Sequence, residues 1–133
     1  GMNIAIASPK GFEPKDDIVK TATEIAKQSG STVLVTNDPI VSVQDVDVLY
    51  TDVWASMGQE SEHEERVKIM RPFSLNAELL EHAKKDAIVL HCLPAHRGEE
   101  ITDEVMDGPH SVVFDQAENR LHIQKSVLAL LLG

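Results

Sequence analysis

Three side chains that could do chemistry each follow a separate apolar stretch of the chain. Asp52 ends one such stretch, Cys92 lies in another, and Arg120 comes shortly after a third. A guanidinium is a planar donor suited to phosphate or carboxylate. A carboxylate can hold an amine, and a thiol reacts in proportion to its thiolate fraction. Brought together, the three groups could bind a ligand that carries an anion and an amine.

Each of these residues also has a purely structural interpretation. Cys92 could be a small core residue, and Met57, a few residues after Asp52, could serve packing alone. Asp52 could cap the loop that follows it. Arg120 could form a surface ion pair, which is the commoner fate of arginine. Sequence position alone leaves these alternatives open.

The pattern of ligand-type residues predicts neither a metal site nor a cofactor. His91, Cys92 and His96 match no standard zinc spacing, and the chain has no second ligand pair. The glycines form neither a dinucleotide-binding fingerprint nor a phosphate-binding P-loop. Cys92 is the sole cysteine, so a redox role would have no resolving partner.

The elements that must position these residues alternate between strand-like and helical patterns. The predicted strands are 3–7, 32–36, 47–52, 87–94 and 111–115. The predicted helices between and after them are 14–29, 40–46, 60–70, 74–83, 102–106 and 116–132. This alternation predicts an α/β fold, a Rossmann-like parallel sheet of about five strands with helices on both faces. Ligands of such sheets bind at the carboxyl ends of the strands, where all three candidates fall.

Two helices carry more specific expectations about capping and burial. Ser74 is predicted to cap the helix 74–83, and the leucines expected to point inward from it are Leu75, Leu79 and Leu80. The last helix is expected to bury a stripe formed by Leu121, Val127, Leu128 and Leu131.

The composition sets limits on the class of protein. A chain of 133 residues is long enough for one domain with one core. Its net charge of −10 argues against a nucleic-acid surface. The longest apolar run, 127–132, is too short to span a membrane, and no signal peptide is expected. A single cysteine excludes an internal disulfide and suits a reducing compartment, which predicts a cytoplasmic location.

The three candidate stretches together resemble the ornithine carbamoyltransferase family. The segment 52–60, Asp-Val-Trp-Ala-Ser-Met-Gly-Gln-Glu, is similar to the ornithine-binding loop of that family. The segment 91–94, His-Cys-Leu-Pro, matches its cysteine motif, and 118–120, Glu-Asn-Arg, resembles the segment with its late phosphate-binding arginine. Cys92 distinguishes the chain from aspartate carbamoyltransferases, which have proline in that place.

This resemblance implies transfer of a carbamoyl group from carbamoyl phosphate to the δ-amine of L-ornithine, giving L-citrulline and phosphate in arginine biosynthesis. By family analogy, ornithine would contact Asp52, Ser56 and Met57. Carbamoyl phosphate would contact backbone groups of Cys92 and Leu93 and the guanidinium of Arg120. The catalytic residues would be Cys92, as candidate proton acceptor, Asp52 and Arg120, with no cofactor and no metal.

The resemblance also implies a particular domain organisation. Residues 1–133 are similar to the ornithine-binding (second) domain only, without its first, central strand and without the carbamoyl-phosphate domain. We therefore expect either a gap or direct pairing between the strands 3–7 and 47–52. These residues alone are expected to be inactive, and the parent enzyme is expected to be a homotrimer or a multiple of trimers.

Two other functions stay open at this point. The chain could come from a sister carbamoyltransferase that acts on another amine. It could instead be a non-catalytic module that binds an amino acid or a partner.

Overall fold

The computed structural model describes residues 1–55 and 63–133, and in these residues short strands alternate with helices. The strands β1 to β4 are Ile4–Ala7, Val33–Thr36, Val48–Thr51 and Ile88–His91. The helices α1 to α6 are Asp16–Ser29, Pro39–Val43, His63–Met70, Ala77–Leu80, Asp103–Met106 and Val113–Leu132. A 3-10 turn, Arg71–Phe73, follows α3. The predicted alternation of strands and helices, and hence the α/β class, is confirmed.

The strands form two parallel pairs rather than one sheet of about five strands. β1 pairs with β2 in the register Ile4 to Val33, and β3 pairs with β4 in the register Val48 to Ile88. Within the described residues no ladder joins β1 to β3. Of the two arrangements expected for these strands, the structure has the gap.

The predicted fifth strand, 111–115, is wrong except for one residue. Ser111 forms an isolated parallel bridge with Val89 of β4, and the N–H of Val112 donates to the Val89 carbonyl. The chain then turns into α6, whose first residue, Val113, is fully buried. Helical backbone therefore brings Val113 into the core, and this tertiary packing overrides the strand preference of a β-branched run.

The hydrophobic core surrounds β4. Its most deeply buried members are Val89, Ile101, Val105 and Val113, with Leu49 of β3 beside them. The pair β1–β2 contributes no residue to this cluster in the described chain. Helix α2 connects the two parts, since it contacts β1, β2 and α4 and places Val43 in the core.

Capping residues mark the end of α1 and the start of α4. Gly30 ends α1 with a left-handed φ of 70°, as the sequence predicts. The predicted cap at Ser74 is wrong, because Ser74 Oγ donates to the Glu99 carbonyl instead. Asn76 caps the shorter helix α4, with Oδ1 accepting from the Leu79 N–H at 2.8 Å. Leu75 is nevertheless buried, as expected.

The predicted buried stripe of the last helix is also wrong. Leu121, Val127, Leu128 and Leu131 are all exposed, Leu131 at 76%. Only the start of α6 lies against the core, where it contacts β4, so the rest of its apolar side chains face outward. None of the helices in the described residues is long and apolar enough to cross a membrane.

Candidate active site

Asp52 and Cys92 are brought together by the pairing of β3 with β4. Thr51 and His91 are the last paired residues of this ladder, so the next residue of each strand leaves the sheet side by side. Cys92 Sγ donates to Asp52 Oδ1 at 3.0 Å. The same oxygen accepts from the Val53 N–H at 2.7 Å, which orients the carboxylate. A thiol and an acid therefore share one strand edge.

The acid keeps the thiol protonated. The hydrogen bond to Asp52 is the largest cause that raises the pKa of Cys92, followed by burial and by the negative charge of Asp52. A hydrogen bond from the neighbouring Tyr50 hydroxyl opposes this and is outweighed. Because the thiolate is the reactive form of cysteine, Cys92 is poorly suited to nucleophilic or redox chemistry at neutral pH.

The turn after β4 is held by a buried histidine–glutamate pair. Leu93 adopts a left-handed φ of 57°, a conformation that costs a residue with a side chain about 1–2 kcal/mol. Its N–H donates to His91 Nδ1 at 2.8 Å, so the ring proton is on Nε2, which lies 3.1 Å from Glu100 Oε1. His91 and Glu100 are both fully buried, and together they fix the backbone that presents Cys92 and Leu93.

A groove of about 630 Å³ opens beside this turn. The residues that line it are Cys92, Leu93, Pro94, Ala95, Arg97, Met106, Phe114, Ala117 and Arg120. Its two arginines differ in their partners. Arg97 is paired with Asp103 at 2.7 Å and with Asp107 at 2.6 Å. Arg120 has no ion pair in the parts of the chain that the structure describes, so its charge is available to an anion.

The structure brings four of the predicted site residues to one edge of the β3–β4 pair. Asp52 and Cys92 are in contact, and Leu93 and Arg120 line the groove that Cys92 also lines. Ser56 and Met57 lie outside the described residues.

Sequence reasoning missed the side chains that support this site. Gln116 Oε1 accepts from the His91 N–H at 3.0 Å, and Gln116 Nε2 lies 3.4 Å from the Tyr50 hydroxyl. Gln116 precedes Arg120 by four residues, so both lie on one face of α6, and that spacing was an available signal. Glu100 gave no signal, because nothing in a charged stretch marks one carboxylate as buried.

The fold and the groove define an α/β domain with its ligand site at the carboxyl ends of parallel strands. The family model "Aspartate/ornithine carbamoyltransferase, Asp/Orn binding domain" matches residues 1–131. The chain therefore belongs to this family, and the resemblance stated from the sequence is confirmed.

Individual relatives agree with the family model. The ornithine carbamoyltransferase of Thermococcus kodakarensis is 59% identical over 133 residues, which are 100% of this chain and 42% of that protein. The solved ornithine carbamoyltransferase of Pyrococcus furiosus is similar with a TM-score of 0.90 and 58% identity, over 98% of this chain and 42% of that one. That of Gloeobacter violaceus has a TM-score of 0.88 and 50% identity, over 100% and 44%. The chain thus spans about 42% of the length of the curated relatives it matches.

Proposed function

We propose that this chain provides the ornithine-binding part of an ornithine carbamoyltransferase. The reaction transfers the carbamoyl group of carbamoyl phosphate to the δ-amine of L-ornithine and yields L-citrulline and phosphate, a step of arginine biosynthesis. Relatives that carry this name and are more than half identical across nearly the whole chain support the proposal. The observation that carries it is the contact of Cys92 with Asp52 on a groove that also holds Arg120.

In this proposal Asp52 holds the ornithine amine rather than activating it. An alkyl ammonium has a pKa of about 10.4 and must lose a proton before its nitrogen can attack a carbonyl carbon. A nearby carboxylate stabilises the charged ammonium and so opposes that loss. Another group must accept the proton, and the sulfur of Cys92, in contact with Asp52, is the candidate.

The raised pKa of Cys92 sets the order of proton transfers. The Cys92 thiol donates a hydrogen bond to Asp52 Oδ1, so its proton must first leave to solvent before the sulfur can accept another from the amine. The interactions that raise the pKa of Cys92 also make its thiolate, once formed beside Asp52, a stronger base. Asp52 and Cys92 would thus work as one unit, and loss of either should lower turnover.

Arg120 is assigned to the phosphate end of carbamoyl phosphate. When the amine attacks the carbonyl carbon, the C–O bond to phosphate breaks and negative charge grows on the leaving group. A guanidinium placed beside that group stabilises the growing charge. The backbone of Cys92 and Leu93 would contact the same substrate, and Ser56 and Met57 would line the ornithine side.

These 133 residues by themselves are proposed to bind substrate without turnover, because the enzymes they match are more than twice as long. The same observation favours the second candidate function, a module that binds an amino acid without catalysis. A cytoplasmic location and a homotrimeric parent, or a multiple of trimers, remain predictions from the family resemblance.

Two measurements test the proposal. Calorimetry on the 133-residue chain should detect L-ornithine binding that Asp52→Asn weakens, and carbamoyl phosphate binding that Arg120→Gln weakens. Arg97→Gln is the matched control, since Arg97 lines the same groove but its charge is already neutralised by Asp103 and Asp107. Citrulline formation should appear only in a longer enzyme that contains these residues.

The outcomes separate the candidate functions. Ornithine binding with no affinity for carbamoyl phosphate supports the binding module. Faster carbamoylation of putrescine or lysine than of ornithine by the longer enzyme supports a sister transferase. Citrulline formation by the 133 residues alone refutes the proposed inactivity. Equal losses of carbamoyl phosphate affinity in Arg97→Gln and Arg120→Gln refute the role of Arg120.

A further inference from the structure

A second group of ligand-type side chains lies on the loop that follows the Cys–Leu–Pro turn. One donor atom each of His96, Glu99 and Glu100 lies within 4.8 Å of the other two. His96 Nδ1 is 3.6 Å from Glu99 Oε2. His63, from the first turn of α3, adds a fourth group, because its Nε2 lies 3.0 Å from Glu99 Oε1. None of these four residues is among those that line the groove beside the Asp52–Cys92 pair.

Two carboxylate oxygens in this cluster are buried and make no hydrogen bond within the described residues. Glu100 is fully buried, and its Oε1 accepts from His91 Nε2 and from the His96 N–H. Its Oε2 is shielded from solvent and has no hydrogen-bond partner among the described residues. Glu99 Oε2 is in the same condition. A buried charged oxygen left unpaired is costly, so an unsatisfied pair of them at one place points to a positively charged ligand.

The charges nearby do not supply that ligand. Arg97 is adjacent in sequence, but its guanidinium is bound to Asp103 and Asp107. The His91 ring accepts the Leu93 N–H at Nδ1 and is therefore neutral. The cluster thus holds two carboxylates and two imidazoles, and the ion pairs described for these carboxylates are with His63, His91 and His96.

We propose that His63, His96, Glu99 and Glu100 form a binding site for a divalent transition-metal ion. Zinc binds nitrogen and oxygen ligands at about 2.0–2.2 Å, so two ligands of one tetrahedral ion lie about 3.3–3.6 Å apart. His63 Nε2 lies 3.0 Å from Glu99 Oε1 and His96 Nδ1 lies 3.6 Å from Glu99 Oε2, so each imidazole faces one oxygen of the same carboxylate, and small side-chain movements would admit an ion between them. The ion would lie between the Glu99 carboxylate and the two imidazoles, and Glu100 would contribute Oε2, which has no hydrogen-bond partner among the described residues.

The donor set selects the kind of ion. Two imidazole nitrogens and two carboxylates suit zinc and its neighbours, whereas magnesium and calcium prefer sites made of oxygen alone. The site would be structural, since four protein ligands leave no open position for a substrate. It would fasten the start of α3 to the loop 96–100, 36 residues away along the chain from His63 to Glu99. The inference does not depend on the proposed carbamoyl transfer.

The sequence predicts no metal here because these ligands do not follow a zinc spacing. His96, Glu99 and Glu100 are close in sequence, and the fourth ligand, His63, comes from a distant helix. Only the fold brings it to the loop.

Zinc titration of the 133-residue chain tests the site. Asp52, His91 and Cys92 also hold donor atoms within 4.8 Å of one another, so the titration is done in a Cys92→Ser background to remove the thiolate. His96→Gln and Glu99→Gln remove one ligand each and leave the buried Glu100 in place. The matched controls are His122→Gln and Glu118→Gln, which alter an exposed histidine–glutamate pair at 3.3 Å on α6.

We expect one zinc ion to bind per chain in the Cys92→Ser background, with no comparable binding of magnesium. Even outer-shell changes around bound metals cost about 10–100-fold in affinity, so loss of a direct ligand should cost at least about tenfold. The α6 controls should leave affinity unchanged. Cobalt in place of zinc should give visible absorption typical of four-coordinate nitrogen and oxygen ligands.

Other results would overturn the site. Absence of saturable zinc binding in the Cys92→Ser background would do so, as would equal losses in the α6 controls and the cluster variants. Binding of magnesium as tight as that of zinc would contradict the nitrogen ligands. Circular dichroism checks that each variant is folded, and if His96→Gln fails to fold, His63→Gln takes its place.

Discussion

Removal of the Glu100 carboxylate should be among the most damaging single changes in this chain. Glu100 Oε1 accepts two hydrogen bonds, from His91 Nε2 at 3.1 Å and from the His96 N–H at 2.6 Å. Hydrogen bonds to a charged group are worth about 1.5–3 kcal/mol each, so Glu100→Ala should lower the free energy of unfolding by about 3–6 kcal/mol. That is a large part of the roughly 5–15 kcal/mol that holds a typical domain folded.

Glu100→Gln gives the matched comparison. The amide oxygen can replace Oε1, so both donors keep an acceptor, although it is uncharged. Charge-assisted hydrogen bonds are about twice as strong as neutral ones, so roughly half of the loss, about 1.5–3 kcal/mol, is expected. Urea unfolding in the presence of a chelator measures both variants without any contribution from bound metal. The slope against urea should stay the same.

Two results would refute this reasoning about Glu100. Equal losses in the alanine and glutamine variants would mean that the hydrogen bonds to Oε1 contribute little. A loss below about 1 kcal/mol in Glu100→Ala would mean that the buried pair with His91 does not stabilise the fold.

Three further predictions concern single side chains. The rate of Cys92 alkylation, monitored by mass spectrometry, should increase only at a higher pH than for an ordinary thiol. Asp52→Asn should shift this increase to lower pH, because it removes the main cause of the raised pKa of Cys92. Arg97 lowers the pKa of Asp107 below 3.8. Thermal unfolding should therefore show Arg97→Gln to be less stable than wild type at neutral pH, and this difference should vanish as the pH falls through the lowered pKa of Asp107. Leu128→Lys should change the free energy of unfolding by less than about 0.5 kcal/mol, because Leu128 is exposed.

Each of these three has a contradicting result. An unchanged alkylation profile in Asp52→Asn would show that the carboxylate does not control the thiol. A difference between wild type and Arg97→Gln that persists below the lowered pKa of Asp107 could not come from that ion pair. A loss of about 2–5 kcal/mol in Leu128→Lys, the range for truncating a buried leucine, would mean that Leu128 is part of the core.

The sequence was sufficient where one local rule decides the outcome. Asp52 and Cys92 follow predicted parallel strands, and neighbouring parallel strands end at one edge, so their proximity could be anticipated. Gly30 ends α1 because a left-handed residue is needed there. These features depend on backbone geometry that a short stretch of residues determines.

The sequence was insufficient where distant contacts decide. The run 111–115 favours a strand by residue type, yet the burial of Val113 in a helix next to β4 prevails. Ser74 and Asn76 are both good caps, and the capture of Ser74 Oγ by the Glu99 carbonyl selects Asn76. An apolar stripe on the last helix indicates that its burial against another apolar surface would be favourable. It does not indicate that such a surface lies within residues 1–133.

The exposed leucines of α6 have a consequence for how the chain behaves in solution. Each molecule carries a net charge of −10. The repulsion between the charges of two molecules opposes the hydrophobic attraction between their exposed apolar α6 helices. The Debye length, over which charges repel each other, falls from about 30 Å at 0.01 M salt to about 8 Å at 0.15 M. Dilute buffer should therefore keep the molecules apart, and added salt should drive them to cluster, with light scattering that increases with ionic strength.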